Sequence, residues 1–396
     1  MTNKLAESSI GEAREEKLEK DLLKIQKKQE NREQRELAKK LSSKVIIKRE
    51  ARTKRKFIVA ISGLEVFDID MKKLAKTFAS RFATGCSVSK NAEKKELKKV
   101  DFVLDWAINT NHTGLYVAKE KGYFAEEGID LDIKPAPEDS TSDLIINNKA
   151  PFGIYYQDSM ANKLSKGAGI TAVAAIIEHN TSGIISLKKN NIKEPKDLQG
   201  KKYGTWNDPV ELAMVKSLIQ KQGGDANKLN LAPNTDTNSV TPLENGLFDA
   251  AWIYYAWDGK LAENMKLDIN YFYLKDFNKD LDYYSPVIIA NNDYLKENKE
   301  EAKKVLRAIK KGYVYAIEHP EEAAEILIKN APELKDKKDF VLESQKYLSK
   351  QYASNKDHWG EFDANRWNAF YRWVNENKIT KQPLAENTGF SNDYIK

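Results

Sequence analysis

The stretch DFVLDWAINTNHTGLYVAKEKGYFAEEGIDLDI, residues 101–133, holds one full strand–helix–strand cycle. An apolar run over 100–104 predicts a strand, a polar loop follows, and 112–121 has the spacing of an amphipathic helix. Apolar and polar residues then alternate over 129–134, which predicts a second strand. Two strands separated by a helical crossover favour a parallel pair. Outward from this cycle the alternation continues, with helices over 140–147, 159–166 and 209–222. Strands are expected over 152–155, 171–177, 183–187 and 202–205, and short segments at 230–231, 241–245, 250–253, 271–273 and 286–289. The tail is helical over 301–318, 320–330, 337–348 and 364–377. The expectation is an α/β fold with parallel-dominated sheets.

Toward the amino end the chemistry changes. Residues 1–100 carry 27 Lys+Arg against 15 Asp+Glu, whereas the rest carry 38 against 44. A basic front on an acidic body implies two parts with different partners. Residues 8–41 read as one highly charged helix with a thin apolar stripe of Leu18, Leu22, Leu23 and Ile25. Such a helix is solvated or marginally stable by itself. Beyond it come strands over 44–48 and 56–62, a helix over 68–82, and a strand beginning at 86–89. The basic loop between the two strands bears Arg49, Arg52, Lys54, Arg55 and Lys56. Five cations in eight residues attract RNA phosphate without sequence preference.

Several classes of function lack their signals. The lone cysteine, Cys86, permits neither an intramolecular disulfide nor a cysteine-based zinc site. His112, His179, His319 and His358 are scattered, so no metal and no cofactor is expected. There is no nucleophile elbow, P-loop or dinucleotide fingerprint. No apolar run is long enough to span a membrane, and the first twenty residues lack a signal-peptide core. As written, the chain is expected in the cytosol.

In α/β folds, ligands meet the loops at the carboxyl ends of strands. Those loops here are rich in aromatic, amide and acidic residues. The candidate ligand-binding set is Trp106, Asn109, Asn111, His112, Tyr156, Gln157, Asp158, Glu178, His179, Trp206, Asn207, Asp208, Trp252, Tyr254, Tyr255, Asp258 and Tyr284. Converging on one cleft, the rings would sandwich a flat heteroaromatic ligand while the polar groups bond its edge. Trp106→Ala or Trp252→Ala is expected to weaken binding and leave the fold intact.

Two resemblances add to this. KVIIKREARTKRKFIVAISGLEVFDIDMKKLAKTFASRFATGCSVSKNAEKKE, residues 44–96, resembles the fungal density-regulated family of ribosome-associated translation factors. That resemblance implies contact with the small ribosomal subunit, although the later strand and closing helix of the family's domain are absent. The stretch at 101–133, with EHNTSGIISLK (178–188), DLQGKKYGTWNDPVELAM (197–214), FDAAWIYYAWDG (248–259) and DYYSPVIIANNDYLK (282–296), resembles solute-binding proteins of thiamine-precursor importers. This implies a monomeric, non-catalytic, two-lobed type II periplasmic-binding-protein fold that clamps an aminopyrimidine and delivers it to an ABC permease. The family is extracytoplasmic and membrane-anchored. The chain then divides into a charged helix (1–43), a partial translation-factor segment (44–97), a first lobe (98–186 plus 287–396) and a second lobe (187–286). It reads as a chimera joined within 87–98. The same fold hosts a pyrimidine-synthesising enzyme that uses a lysine, a histidine and a cysteine cluster. In FGIYYQDSMANKL (152–164), Tyr155 and Ser159 stand where that lysine and histidine would be, which disfavours the enzyme reading.

Overall fold

The computed structural model describes residues 46–53, 56–62, 69–82, 97–138, 140–235 and 238–396. The chain divides into two compact units, residues 1–94 and 95–396.

In the first unit, β1 (Ile46–Thr53) and β2 (Lys56–Ser62) form an antiparallel ribbon with Ile46 opposite Ser62 and Thr53 opposite Lys56. The first strand was expected to end at 48. It runs five residues further, because pairing with β2 satisfies its backbone groups across the basic stretch. Arg49 and Arg52 therefore lie within β1 and Lys56 begins β2, while Lys54 and Arg55 fall outside the described residues. The helix spans Met71–Phe82, starting later than the expected 68. The Asp70 carboxylate accepts the Lys72 and Lys73 amides at 2.9 and 3.1 Å, an N-terminal cap that sets this start. The charged helix expected at 8–41, Cys86 and the strand at 86–89 lie outside the described residues.

The second unit contains two five-stranded sheets. The first has the order β4-β3-β5-β12-β6, from Ile129–Lys134, Lys98–Val103, Phe152–Tyr155, Val287–Asn291 and Ile170–Ala175. The second has the order β11-β7-β10-β8-β9, from Ile269–Tyr273, Ser182–Leu187, Ala250–Tyr254, Lys202–Thr205 and Asn230–Pro233. Both sheets are mixed, not parallel-dominated. β3 pairs in parallel with β4 and β5, and β8 with β9 and β10. β12 runs antiparallel to β5 and β6, and β7 runs antiparallel to β10 and β11. Each antiparallel ladder involves β7 or β12, the strands that follow a crossing between the sheets.

The chain leaves the first sheet after β6, builds the whole second sheet, and returns as β12. β7 belongs to the second sheet, so the sheets divide near 181, not at the expected 186. The outgoing and returning segments lie side by side. The Asn180 amide donates to the Asp282 carboxylate at 2.9 Å, its Nδ2 to the Leu281 carbonyl at 2.8 Å, and the Ile176 amide to the Pro286 carbonyl at 3.1 Å.

β12 shows why the first sheet is central. All five of its residues are buried, with Ile288 and Ala290 in one apolar cluster and Val287 and Ile289 in the other. A strand covered on both faces reads as a continuous apolar run, which is how VIIA appears in the sequence. On one face the helices Thr113–Glu120 and Lys299–Glu318 meet nearly backbone to backbone. A Cβ at Gly312 would stand 2.0 Å from the Gly114 carbonyl oxygen.

Candidate functional site

The carboxyl ends of β3, β5, β8 and β10 open on one cleft of about 260 Å³. Asp105, Trp106, Asn109 and Asn111 follow β3; Tyr156, Asp158 and Ser159 follow β5; Trp206, Asp208 and Glu211 follow β8. Trp252 and Tyr254 come from β10 itself, Trp257 and Asp258 from the π-helical turn Tyr255–Gly259 after it. Asn238, Ser239 and Pro286 complete the wall. Both sheets thus contribute to a single concavity.

The aromatic groups are of two kinds. Trp106 and Trp206 stand at the mouth, 44% and 45% exposed, while Trp252 is buried. Inside, the rings of Tyr156 and Tyr254 are stacked with centroids 6.5 Å apart and planes 20° from parallel. Flat apolar faces set beside polar loops suit a planar ligand.

The polar groups lean to one sign: among the described residues five carboxylates line the cleft and no Lys or Arg does. Asp105 accepts from His112 Nε2 at 2.8 Å and from the Tyr156 hydroxyl at 2.5 Å. Burial by itself would raise this carboxyl, but the His112 bond and charge, with the tyrosine bond, hold it below its ordinary value. Asp208 caps the helix Pro209–Lys221, accepting the Val210 and Glu211 amides at 2.8 and 3.1 Å. A helix N-terminus is an anion site when open; here a side chain already fills it. Glu211 accepts the Tyr203 and Thr205 hydroxyls at 2.7 and 2.9 Å, and its burial raises its pKa.

Asp158 and Asp258 are less well served. Burial, then the charge of Asp208, pushes the Asp158 carboxyl up to about 7; burial pushes Asp258 up to about 7 as well. Asp158 Oδ1, Asp258 Oδ1 and Trp252 Nε1 are buried and meet no hydrogen-bond partner among the described residues. Buried polar groups in folded proteins are nearly always paired. Of the eight buried side-chain atoms without a partner among the described residues, these three gather in the one cleft.

Of the expected set, Trp106, Asn109, Asn111, Tyr156, Asp158, Trp206, Asp208, Trp252, Tyr254 and Asp258 come together here. The others do not line the cleft. His112 is buried behind it, bonded to Asp105 and, through Nδ1, to the Asn109 amide. Gln157 faces inward, donating to the Trp367 carbonyl and accepting from the Tyr284 amide. Glu178 and Tyr284 line a separate pocket with Tyr352, His358 and Arg366. His179 pairs with Asp282 where the chain crosses between sheets. Asn207 takes a left-handed φ of 63° in the loop, and Tyr255 joins the rings of Tyr271, Tyr273 and Tyr347. Asp105, Ser159, Glu211, Asn238, Ser239, Trp257 and Pro286 were not in the expected set. Asp105 and Trp257 sit in the quoted strand-end segments and were legible there; the helical phase that brings Ser159 and Glu211 inward was not.

Among the described residues no group of three or more His, Cys, Asp or Glu side chains is gathered to hold a metal, and no helix is long and apolar enough to cross a membrane.

Comparison with known proteins separates the same two parts. Residues 109–323 match the family described as NMT1/THI5 like, and residues 41–101 match translation initiation factor SUI1. The chain is 28% identical over 328 residues to a formylaminopyrimidine-binding protein of Halalkalibacterium halodurans, covering 81% of this chain and 98% of that one. At the other end it is 99% identical over 96 residues to translation machinery-associated protein 22 of Saccharomyces cerevisiae, 24% of this chain and 48% of that protein. The chain therefore spans about half the length of that relative, and it is a chimera of two parts. Among solved structures, a Bordetella bronchiseptica protein has a TM-score of 0.58 at 18% identity, covering 76% of this chain and 96% of its own. The periplasmic aliphatic sulphonate binding protein of Escherichia coli has 0.55 at 13%, covering 72% and 90%. The desulfurization enzyme DSZB shares the fold, at 0.53 and 11%, covering 75% and 97%. These likenesses give the fold of periplasmic binding proteins, on which both binders and an enzyme are built.

Proposed function

The chain belongs to the NMT1/THI5-like family, and from that premise we propose that residues 98–396 are the solute-binding part of an ABC importer. The ligand is a flat heteroaromatic molecule of the aminopyrimidine type, as the name of the Halalkalibacterium relative suggests. The observation that carries this reading is the cleft's composition among the described residues: aromatic faces from both sheets, with buried carboxylates and no lysine or arginine. An anionic ligand of the sulphonate kind would find no positive partner there, and the Pro209–Lys221 helix N-terminus is already capped by Asp208. The site residues are the ten expected ones that line the cleft, together with Asp105, Glu211 and Trp257.

The part is a monomeric binder without catalysis, delivering its cargo to a permease outside the cytoplasm in its family's usual setting. Tyr155 and Ser159 at the positions of the synthase's lysine and histidine support that side of the choice. A thermal-shift screen of the whole chain against thiamine, its pyrimidine precursors, riboflavin and pyridoxal phosphate tests the reading. A ligand at 100 times its dissociation constant stabilises the fold by about 2.7 kcal/mol. A shift with a pyrimidine alone supports the assignment, and no shift with any pyrimidine removes it.

A second reading concerns only the first unit. Its 99% identity to a translation machinery-associated protein supports contact with the small ribosomal subunit, through a basic ribbon containing Arg49, Arg52 and Lys56. Cosedimentation with small subunits that falls as salt rises would support it; no cosedimentation at low salt would remove it.

A further inference from the structure

This inference rests on the aminopyrimidine reading of the cleft and concerns the charge state that the cleft accepts. Of its five described acidic side chains, three are fully answered from within the protein: Asp105 by His112 and Tyr156, Asp208 by two helix amides, and Glu211 by two hydroxyls. Two are answered only in part. Asp158 is only 7% exposed; its carboxylate is favoured by the Ser159 amide and its own, its Oδ2 receives a long 3.4 Å bond from the Tyr283 hydroxyl, and its Oδ1 has no partner among the described residues. Asp258 is met by the Ser239 backbone amide, but its Oδ1 is likewise buried without a partner. The third such atom, Trp252 Nε1, is a donor on a side chain 4% exposed.

The groups that face Asp158 are the Asp208 carboxylate, the Ser159 backbone amide, and the hydroxyls of Tyr156, Tyr254, Tyr283 and Tyr371. Among the described residues none is lysine or arginine. A buried carboxylate without a counter-ion is costly as an anion and keeps its proton to higher pH, and burial pushes both Asp158 and Asp258 up to about 7. A neutral ligand would leave that balance unchanged. A cationic one would supply the missing charge and favour the ionised form.

The geometry points to a site for a protonated amine: Asp158 from the first sheet and Asp258 from the second hold a heteroaromatic ligand bearing an ammonium or amidinium group, in preference to its acylated or phosphorylated forms, while Trp252 Nε1 addresses an acceptor on the same ligand. The two carboxylates select charge, and the aromatic faces select shape.

Titration calorimetry on the full chain tests this with three probes: an aminopyrimidine bearing a free aminomethyl group, its N-formyl amide, and the phosphorylated hydroxymethyl analogue. At pH 8 the free amine is expected to bind at least about tenfold tighter than the amide. Its affinity should rise about tenfold from pH 6 to pH 8 as the Asp158 carboxyl ionises, while that of the amide should not. Asp158→Asn and Asp258→Asn should each reduce the preference and the pH dependence, and the double variant should lose both, so a fold defect in one variant does not blunt the test. Equal or tighter binding of the amide by the wild-type chain would overturn the charge selection and leave the pyrimidine reading intact. Binding of none of the three would overturn both.

Discussion

Asp158 illustrates how a binding residue is paid for in stability. Its carboxyl titrates at about 7 in the fold and near 3.8 when free of it. A raised carboxyl favours the folded state when protonated, so its contribution is complete below pH 4 and is lost between about pH 4 and 7. Asp158→Asn removes that loss. The variant should therefore melt higher than wild type at pH 8 in the absence of ligand, by the equivalent of a few kcal/mol at most, and show little difference at pH 4; equal melting points at pH 8 would mean the carboxylate is not strained. The two tryptophans behave differently from one another. Trp106→Ala, at the mouth, is expected to weaken affinity and leave the melting point unchanged. Trp252 is 4% exposed within β10, so Trp252→Ala should also lower stability by about 3–5 kcal/mol, measurable by denaturant titration. At this scale the sequence showed which loops carry the site but not which way each side chain points. Gln157 and Asp158 are neighbours, yet one bonds the Trp367 carbonyl in the core and the other lines the cleft. Tyr254 and Tyr255 part in the same way, because the strand ends between them and a π-helical turn begins.

Among the elements, those with strong periodicity were readable to within a residue or two. The four helices of the tail match because long amphipathic patterns carry many concordant signals. The misreadings fall where pairing decides. β1 extends through Arg52 because β2 lies beside it, and β7 joins the second sheet because β10 and β11 do. Close helix packing is another property of pairs. Gly312→Ala should push the Lys299–Glu318 helix off Gly114 and cost about 1–3 kcal/mol, seen as a lower midpoint in urea. Asp208→Ala removes the cap of Pro209–Lys221 and should cost about 1 kcal/mol. Because it also lifts a negative charge from beside Asp158, the Asp158 carboxyl should titrate lower in that variant, which a shifted pH profile of amine binding would report.

The molecule as a whole is a chimera of two units, residues 1–94 and 95–396. A chain beginning at Lys95 keeps every described residue that lines the cleft, so it should bind the same ligand with unchanged affinity; a loss of affinity would mean that the first unit takes part in the lobe. Composition, motif and resemblance alone determined that the chain has two parts and that the larger is of the α/β class, since charge balance, apolar periodicity and aromatic loops are local properties of a chain. Only the tertiary structure decided that the sheets are mixed, that β7 lies in the second, and that ten of seventeen candidates meet in one cleft. Those outcomes depend on which segments lie side by side after the chain crosses between sheets and returns, and on the burial that leaves Asp158 and Asp258 without a counter-ion. Both are relations between residues far apart in sequence, which no local pattern records.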